Sequence, residues 1–456
     1  MAPYDPIAKK DIEHERSVFV GKLLEAREEI VAFVDNRLGW NGYGEYDGYF
    51  NGCFNFSIAI RRRDSCDNAI IRFPVPGNIY GSWLDEKVTN EVMVMQYLSK
   101  HTTIPIPPIR FWSLTKESPR QLGPFIIMDK MAGQDLSGFL KQPTEDKGQE
   151  KVLDPEIDQA KLDYVYDQIA DFLLQLSRLE FSHIGALSKN DESGQWDVTK
   201  RPLTCDMNEV ASLGNYPAEN FSAIPFNNAS EYFRARSHYY MTHLEAQRNI
   251  AGDDEELAWS LFIARHNFAK LIPKYCLDDT GPFRLYCDDL RPSNMLADPE
   301  TLQITAVLDL EFTNVMPGQY ALDLPWWLLL KQPANWVRER GMQEFLDFYV
   351  PRMEQFIRAM ERAEAKSIPT NRQVCLAVQM RESWDSGRFW FNLASRRSFD
   401  VDVIYWEALH KPHMEDGGEV VLDEVTLAKK KSFLKTKKDQ LDIYRREKES
   451  DKRFQV

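Results

Sequence analysis

The chain has 456 residues, of which 43% are hydrophobic and 28% charged, and its formal net charge is −14. This length predicts about three domains, and the acidic balance argues against a nucleic-acid-binding protein, which normally carries a basic face. No apolar run is long enough to predict a membrane span, and the six dispersed cysteines form no CxxC pair that would predict a zinc site or a disulfide framework.

The N-terminal region begins without the apolar segment of a signal peptide, so we expect a cytoplasmic protein. Residues 7–38 have the apolar spacing of one or two amphipathic helices. A glycine-rich segment follows and ends at Gly52, with Asn55 just beyond it. We expect this segment to be a loop whose backbone amides approach phosphate groups, which makes Gly52 and Asn55 candidate nucleotide-binding residues. An ordinary glycine-rich turn is the alternative.

Two strands and a helix are predicted next. Residues 54–60 alternate between apolar and other side chains, which predicts a half-buried strand, and residues 69–75 predict its hairpin partner. Arg72 lies in the second strand, where a cation can pair with phosphate oxygens. The helix predicted after it offers Glu91 as the ion-pair partner of Arg72, because Glu91 lies beside the apolar stripe, while Glu86 is a second candidate.

An apolar strand at residues 125–128 leads into a short extended link at Asp129–Met131. Such a link suits a hinge at which backbone groups bind an adenine ring, so Asp129 and Met131 are candidate nucleotide-binding residues. We place a boundary here. It divides the chain into an N-terminal lobe at 1–130, a mainly helical lobe at 131–425 and a charged helical tail at 426–456.

The second lobe is predicted to be mainly helical. A core helix is expected within residues 163–181 and two more within 228–275, whereas residues 188–225 have the composition of loops. Asp323 is expected to cap the N-terminus of a further helix. The aromatic and charged stretch at 382–406 fits either a small-molecule pocket or a packed pair of helices.

The residue pattern at 285–311 predicts phosphoryl transfer. Asp289 precedes Asn294 by five residues, and a β-branched strand then leads to Asp309, with Glu311 two residues later. In this chemistry one carboxylate accepts the proton of the substrate, while an Asn and a second carboxylate hold Mg²⁺. Asp288 adjoins the proposed base, and only the spacing to Asn294 selects Asp289.

Four sequence segments resemble the aminoglycoside phosphotransferase family, within the protein-kinase-like fold. They are CDDLRPSN at 287–294, LEFT at 310–313, PWWLLL at 325–330 and ESWDSGRFWF at 382–391. The resemblance extends over about residues 45–410. It implies an α+β, two-lobed protein-kinase-like fold, with a small antiparallel-sheet N-lobe and a larger, mainly helical C-lobe.

The resemblance also implies a function, which is transfer of the γ-phosphoryl group of ATP to a hydroxyl of a small molecule. It implies Asp289 as catalytic base, Arg291 as a contact to the γ-phosphate, and ATP and Mg²⁺ as cofactors. Residues implied to hold the metal are Asn294, Asp309 and, for a second ion, Glu311. Residues implied to bind ATP are Arg72, held by Glu91, and the hinge at Asp129–Met131.

Two departures from the family pattern leave a second function open. Cys287 stands where the family has His, and Arg72 stands where it has Lys. A catalytically weak or inactive kinase-like protein that binds nucleotide is therefore the alternative. A protein kinase is disfavoured because the segment between Asp309 and Trp326 is short for an activation segment. We expect a small-molecule substrate and neither nucleic acid nor membrane as partner.

Overall fold

The computed structural model describes residues 4–144, 146, 148, 150–367, 375–410 and 422–455. A five-stranded antiparallel sheet of order β1-β2-β3-β5-β4 organises the N-terminal part of the chain. The elements of this part are α1 (Pro6–Glu25), α2 (Arg27–Leu38), β1 (Gly44–Asn51), β2 (Asn55–Arg62), β3 (Asn68–Pro74), α3 (Leu84–His101), β4 (Ile109–Ser113) and β5 (Phe125–Asp129).

The central strands of this sheet are buried on both faces, so the prediction of a half-buried strand is wrong for β2. Phe56, Ile58 and Ile60 pack on one face with apolar residues of α1 and α2. On the other face Ser57 and Ala59 are also buried. Sequence alternation alone does not show how many layers will cover a sheet, and here both faces are covered.

The glycine-rich segment is mostly strand, contrary to the loop that we predicted. It forms β1, in which Gly48 has a φ of +112° beside a register shift in the pairing with β2. This backbone conformation favours glycine and bends the strand. Only Gly52–Phe54 remain as a loop, at the tip of the β1–β2 hairpin.

The remaining part of the chain is mainly helical, with three small antiparallel sheets. The α+β, two-lobed protein-kinase-like fold expected from the sequence is confirmed. None of the described helices is long and apolar enough to cross a membrane.

The strands of the helical lobe are β6 (Gln134–Asp135), β7 (Glu180–Phe181), β8 (Ala186–Lys189), β9 (Trp196–Lys200), β10 (Phe283–Tyr286), β11 (Met295–Ala297), β12 (Ile304–Val307) and β13 (Asn314–Met316). The helices are α4 (Leu136–Leu140), α5 (Gln159–Ser177), α6 (Cys205–Leu213), α7 (Ala229–Ala246), α8 (Glu255–Tyr275), α9 (Pro333–Arg340), α10 (Met342–Lys366), α11 (Leu376–Asp385), α12 (Arg388–Arg396), α13 (Val401–Ile404), α14 (Glu424–Ala428) and α15 (Lys430–Ser450).

Two local predictions in this lobe are wrong. Helix α6 lies within the segment predicted as loop, and Thr204 caps its N-terminus by accepting a hydrogen bond from the Met207 amide. No helix begins at Asp323, because Asp323 is buried and its carboxylate accepts a hydrogen bond from the Ser383 hydroxyl. The Asp323 side chain therefore makes a buried tertiary contact and does not cap a helix.

The aromatic residues near 382–391 form a packed core instead of a pocket. Trp384 and Phe389 have ring centroids 5.3 Å apart, and each also lies within 6 Å of the Tyr349 ring on α10. Of the two interpretations of this stretch, the packed pair of helices is confirmed for these residues. Arg396 and the following Arg397 line a cavity that is described below.

Helix α1 joins the two lobes at its two ends. Phe19 and Leu23 near its C-terminus pack with the sheet core. At its N-terminus Asp5 caps the helix, donates its backbone amide to the Leu213 carbonyl at 2.9 Å, and accepts a hydrogen bond from Asn215 at 2.6 Å. The start of α1 is therefore attached to the end of α6 in the helical lobe.

The charged tail forms two helices, α14 and α15, where one was predicted. The buried ammonium group of Lys437 donates hydrogen bonds to the carbonyls of Leu244 and Gln247, at the end of α7. Phe433 packs with Phe262 at a centroid distance of 5.0 Å. The tail is thus partly packed on the helical lobe, as expected.

Candidate functional site

A cavity of about 570 Å³, here called the interlobe cavity, lies between the sheet and the loops of the helical lobe. Ten of the eleven residues that the sequence singled out line it, and the eleventh, Glu91, is buried behind Arg72. The ten are Gly52, Asn55, Arg72, Asp129, Met131, Asp289, Arg291, Asn294, Asp309 and Glu311. The structure therefore brings together residues that lie up to 259 positions apart in the sequence.

The segment from Asp289 to Asn294 is a tight loop between β10 and β11. The Asn294 side-chain amide donates to the Asp289 carboxylate at 2.7 Å and to the Asp289 carbonyl at 3.0 Å. Within the described ranges, Asn294 Oδ1 accepts no hydrogen bond. The five-residue spacing thus fixes the Asp289 carboxylate and leaves one hard oxygen of Asn294 available to a ligand.

The structure distinguishes Asp289 from its neighbour Asp288. The Asp288 carboxylate lies 2.6 Å from Arg396 and 3.3 Å from Arg397. Its carbonyl accepts a hydrogen bond from the indole of Trp326 at 2.8 Å. Asp288 is therefore occupied by structural contacts, whereas Asp289 keeps 39% of its side chain exposed to the cavity.

Arg72 lies between two carboxylates. It donates one hydrogen bond to Glu91 of α3, as predicted, and a second to Asp309 at 3.0 Å. Asp309 follows β12 with a φ of +52°, a conformation that costs free energy in a residue other than glycine and is common where a side chain must be aimed. Burial raises the pKa of Asp309, and the Arg72 charge opposes that shift.

Lys87 is a buried cation that the sequence analysis missed. It is 1% exposed and lies on α3, one turn before Glu91. Its ammonium group contacts Asn55 at 2.5 Å, Glu91 at 3.5 Å and the Glu311 carboxylate. The i,i+4 spacing to Glu91 could have revealed it, because both residues lie beside the same apolar stripe.

Glu311 and Asn55 are thus joined to each other and to α3. Asn55 donates its amide to Glu311 at 2.8 Å while its oxygen accepts from Lys87. Burial raises the pKa of Glu311 to about 7, and the Lys87 charge opposes that shift. The contact fixes the tip of the β1–β2 hairpin to the segment that carries Asp309.

The hinge residues Asp129, Lys130 and Met131 line the cavity, and the charged side chains of the first two have partners in the sheet lobe. The Asp129 carboxylate accepts from Arg110 at 2.5 Å, and Lys130 contacts Asp47 at 2.5 Å. Apolar side chains from both lobes cover this end of the cavity, among them Ile70, Pro107, Met128, Leu296 and Leu308.

Cys287 precedes the loop at 289–294, and Arg291 lies within it. Cys287 is buried, and burial raises the pKa of its thiol to about 12, so the side chain is a neutral thiol. The Arg291 guanidinium forms an ion pair with Asp289 at 2.6 Å and lies over the ring of Trp326 at 5.9 Å. Arg291 is therefore held beside the Asp289 carboxylate.

A second cavity, here called the side chamber, has a volume of about 300 Å³ and shares residues such as Asp289 and Arg291 with the interlobe cavity. The loop that precedes α6, α6 itself and the end of α12 contribute walls that the sequence did not indicate. Its lining residues are Cys53, Phe54, Thr204, Cys205, Asp206, Glu209, Tyr232, Tyr286, Asp288, Asp289, Arg291, Glu311, Phe312, Met316, Tyr320, Gln332, Arg396 and Arg397.

The interlobe cavity has donors that fit a hard cation. Asp309 Oδ2 and Asn294 Oδ1 accept no hydrogen bonds from the described part of the chain, and Mg²⁺ prefers oxygen ligands supplied by one or two side chains together with phosphates and water. Among the described residues, no group of three or more His, Cys, Asp and Glu side chains could hold a metal ion by itself. The donor set therefore suits a cation that binds together with a phosphate ligand.

Comparisons with known proteins identify the family. The model of the phosphotransferase enzyme family matches residues 59–364. A clavilactone A biosynthesis cluster protein of Ampulloclitocybe clavipes is 25% identical over 251 residues, which cover 54% of each chain. The match therefore spans about half the length of that curated relative.

Alignments with solved structures give low sequence identity over most of the chain, and two of them are described here. A Plasmodium vivax ethanolamine kinase is 12% identical with a TM-score of 0.40, and the alignment covers 88% of this chain and 82% of that one. The aminoglycoside phosphotransferase APH(4)-Ia in complex with ADP and hygromycin B is 12% identical with a TM-score of 0.43, with 89% and 98% covered. Because the family model matches more than half of the chain, the chain belongs to the phosphotransferase enzyme family.

Proposed function

We propose that the protein transfers the γ-phosphoryl group of Mg²⁺-bound ATP to a hydroxyl group of a small molecule. The observation that carries the proposal is the position of Asp289. Its carboxylate lies where the interlobe cavity meets the side chamber, with Arg72, Asn294 and Asp309 on the interlobe side. A nucleotide in one cavity and an alcohol in the other would meet at this carboxylate.

Asp289 is the proposed general base. The acceptor hydroxyl loses its proton to this carboxylate as its oxygen attacks the γ-phosphorus. Asn294 holds the carboxylate in place through its 2.7 Å hydrogen bond, and the nearby Arg291 guanidinium is available to the transferred phosphoryl group. Positioning of this kind supplies much of the rate in phosphoryl transfer.

Asn294 and Asp309 would hold the Mg²⁺ ion. When bound, this ion neutralises charge on the phosphate oxygens. Glu311 was predicted as a ligand of a second ion, but its carboxylate already accepts from Asn55 and contacts Lys87. Glu311 would have to give up these contacts to bind metal, so the proposal assigns it a structural role in the site.

Arg72 and the hinge would bind the nucleotide. Glu91 holds the Arg72 guanidinium from behind, and the nitrogen that contacts Asp309 faces the cavity, where phosphate oxygens could share it. The backbone at Asp129–Met131 would contact the adenine ring, with the apolar residues of both lobes above and below it. Gly52 and Asn55 would cover the phosphates from the hairpin tip.

The test measures binding and turnover separately. ATP with Mg²⁺ at millimolar concentration should raise the melting temperature of the full chain, and ATP without Mg²⁺ should do so less. A slow, Mg²⁺-dependent release of ADP should accompany this stabilisation. Absence of any thermal shift with Mg²⁺ and ATP would contradict the proposal, because both the metal ligands and Arg72 would then lack their function.

A second candidate function is nucleotide binding without turnover. The direct ion pair between Arg72 and Asp309 favours it. In this pair the proposed phosphate-binding cation and the proposed metal ligand bind each other instead of a ligand. Under this alternative, ATP stabilises the protein but neither hydrolysis nor phosphate-ester formation occurs. Detection of ADP release that Asp289→Asn abolishes would exclude it.

A further inference from the structure

The side chamber has a charge pattern that restricts its ligand. Five carboxylates line it, and each lies within 4.0 Å of an Arg or Lys nitrogen. The pairs are Asp206 with Arg236 at 2.5 Å, Glu209 with Arg397 at 3.9 Å, Asp288 with Arg396 at 2.6 Å, Asp289 with Arg291 at 2.6 Å, and Glu311 with Lys87.

In these pairs each carboxylate of the side chamber already has a cation beside it, although Arg291 and Arg397 stay partly exposed. Arg236, Arg396 and Lys87 are each at least nine-tenths buried, so their charges cannot turn outward to solvent. An ammonium group that entered the chamber would have to displace one of these cations or remain unpaired. Burying an unpaired charge costs free energy, so this arrangement disfavours an ammonium group.

The uncharged part of the wall is aromatic. Phe54 and Phe312 meet edge to face with centroids 5.5 Å apart, and the rings of Tyr286 and Tyr320 are 5.4 Å apart. The Tyr320 hydroxyl is paired with Ser395 at 2.5 Å, and the Tyr286 hydroxyl donates to Asp288 at 3.3 Å. Because the polar atoms of both tyrosines are used within the protein, the rings offer apolar surface to a ligand.

The volume sets the size of the ligand. About 300 Å³ equals the space of roughly ten water molecules in the liquid, at about 30 Å³ each. This is at the lower limit for small-molecule pockets. A single substituted ring fits such a space.

From these observations, and resting on the proposed function, we propose that the side chamber binds an uncharged hydroxylated molecule with one ring, and that it disfavours amines. The hydroxyl oxygen forms a bond to the γ-phosphorus while the bond from this phosphorus to the β,γ-bridging oxygen of ATP breaks. Asp289 receives the hydroxyl proton and later releases it to water. The products are a phosphate monoester and ADP.

The test compares two probes that differ by one charge. Benzene-1,4-dimethanol and 4-(aminomethyl)benzyl alcohol have the same ring and the same acceptor hydroxyl, but the second carries an ammonium group. Their dissociation constants are measured by titration of the full chain in the presence of Mg²⁺ and ADP. We expect the neutral probe to bind at least about tenfold more tightly, which equals a difference of about 1.4 kcal/mol.

Two variants test where the neutral probe binds and whether the paired carboxylates are what disfavours the ammonium probe. Gln332→Trp fills the side chamber at a residue outside the interlobe cavity, and it should abolish binding of the neutral probe while Mg²⁺ and ADP still raise the melting temperature. Arg397→Gln releases Glu209 and one contact of Asp288, and it should increase the affinity for the ammonium probe.

The outcomes separate this inference from the proposed function. Equal or tighter binding of the ammonium probe, binding that survives Gln332→Trp, or binding of neither probe would overturn the chamber assignment. In each of those cases a thermal shift with Mg²⁺ and ADP would leave the proposed phosphotransferase function standing. If Mg²⁺ and ADP gave no thermal shift in the unaltered protein, the proposed function would be overturned instead.

Discussion

The two cavities that meet at Asp289 both have paired carboxylates, but they differ in their other lining groups. In the interlobe cavity Asp309 contacts Arg72, yet Asp309 and Asn294 each keep one oxygen that accepts no hydrogen bond from the described residues. In the side chamber Asp206, Asp288 and Glu209 lie beside arginines, and much of the remaining wall is aromatic. Open oxygens suit a cation that binds together with phosphate, whereas aromatic surface suits an uncharged ring.

The largest expected effect is on the carboxylate that the two cavities share. Asp289→Asn should lower kcat by about 10²- to 10⁴-fold, the usual contribution of a general base, and leave nucleotide binding in place. Steady-state ADP release and a thermal-shift titration measure the two quantities. Asp288→Asn is the matched control, since Asp288 is held by Arg396 and Arg397. If Asp288→Asn lowers kcat more at equal folded fraction, the assignment of the base is wrong.

The second expected effect tests the buried pair behind the interlobe cavity. Lys87→Met leaves the Glu311 carboxylate without its cation and should lower the free energy of unfolding by about 3–5 kcal/mol. Denaturant titration measures it. The double variant Lys87→Met/Glu311→Leu removes both charges and should recover a large part of the loss. A double variant as unstable as the single one would show that Lys87 does not act through Glu311.

The third prediction concerns the open oxygens of the interlobe cavity. Mg²⁺ with ADP at about 100 times its dissociation constant should stabilise the protein by about 2.7 kcal/mol. Asp309→Asn should remove most of the part that depends on Mg²⁺, because the amide is a weaker ligand. Thermal shifts with and without Mg²⁺ measure this part. A variant that keeps the full Mg²⁺ dependence would exclude Asp309 from the metal site.

The smallest predicted effect tests the paired charges of the side chamber. Burial raises the pKa of Glu209 to about 7, with Arg397 opposing the shift. The folded state therefore binds more protons than the unfolded state, so this group stabilises the fold below about pH 4.5 and loses that contribution as pH rises to about 7. Relative to the Glu209→Gln variant, the free energy of unfolding of the unaltered protein should fall by about 1 kcal/mol per pH unit between these two pH values. Denaturation at pH 5, 6 and 7 measures the difference. A constant difference would mean that Glu209 is charged throughout.

The sequence predicted the interlobe cavity better than the side chamber for a physical reason. Asp289, Asn294 and Asp309 lie within one short stretch, so their spacing along the chain carries their geometry. The Arg72–Glu91 contact was also predictable, because it joins neighbouring elements of one small lobe. Local patterns of this kind determine local contacts.

Contacts between distant segments were not predictable in the same way. Lys87 pairs with Glu311 across 224 positions, and the chamber brings α6 next to the end of α12. Asp323 has the composition of a helix cap, yet its partner is Ser383, 60 positions later. A single sequence contains no signal for which buried polar groups will pair over such distances.

The attachment of α1 at Asp5 has a consequence for motion. The Asp5 contacts with Leu213 and Asn215 join the lobes at a place distinct from the ion pairs of Arg72 with Asp309 and of Lys87 with Glu311 at the interlobe cavity. An opening motion that separated those ion pairs would still leave the start of α1 attached to α6. Asp5→Ala removes the side chain that caps α1 and accepts from Asn215, and hydrogen exchange at α1 and α6 should then become faster.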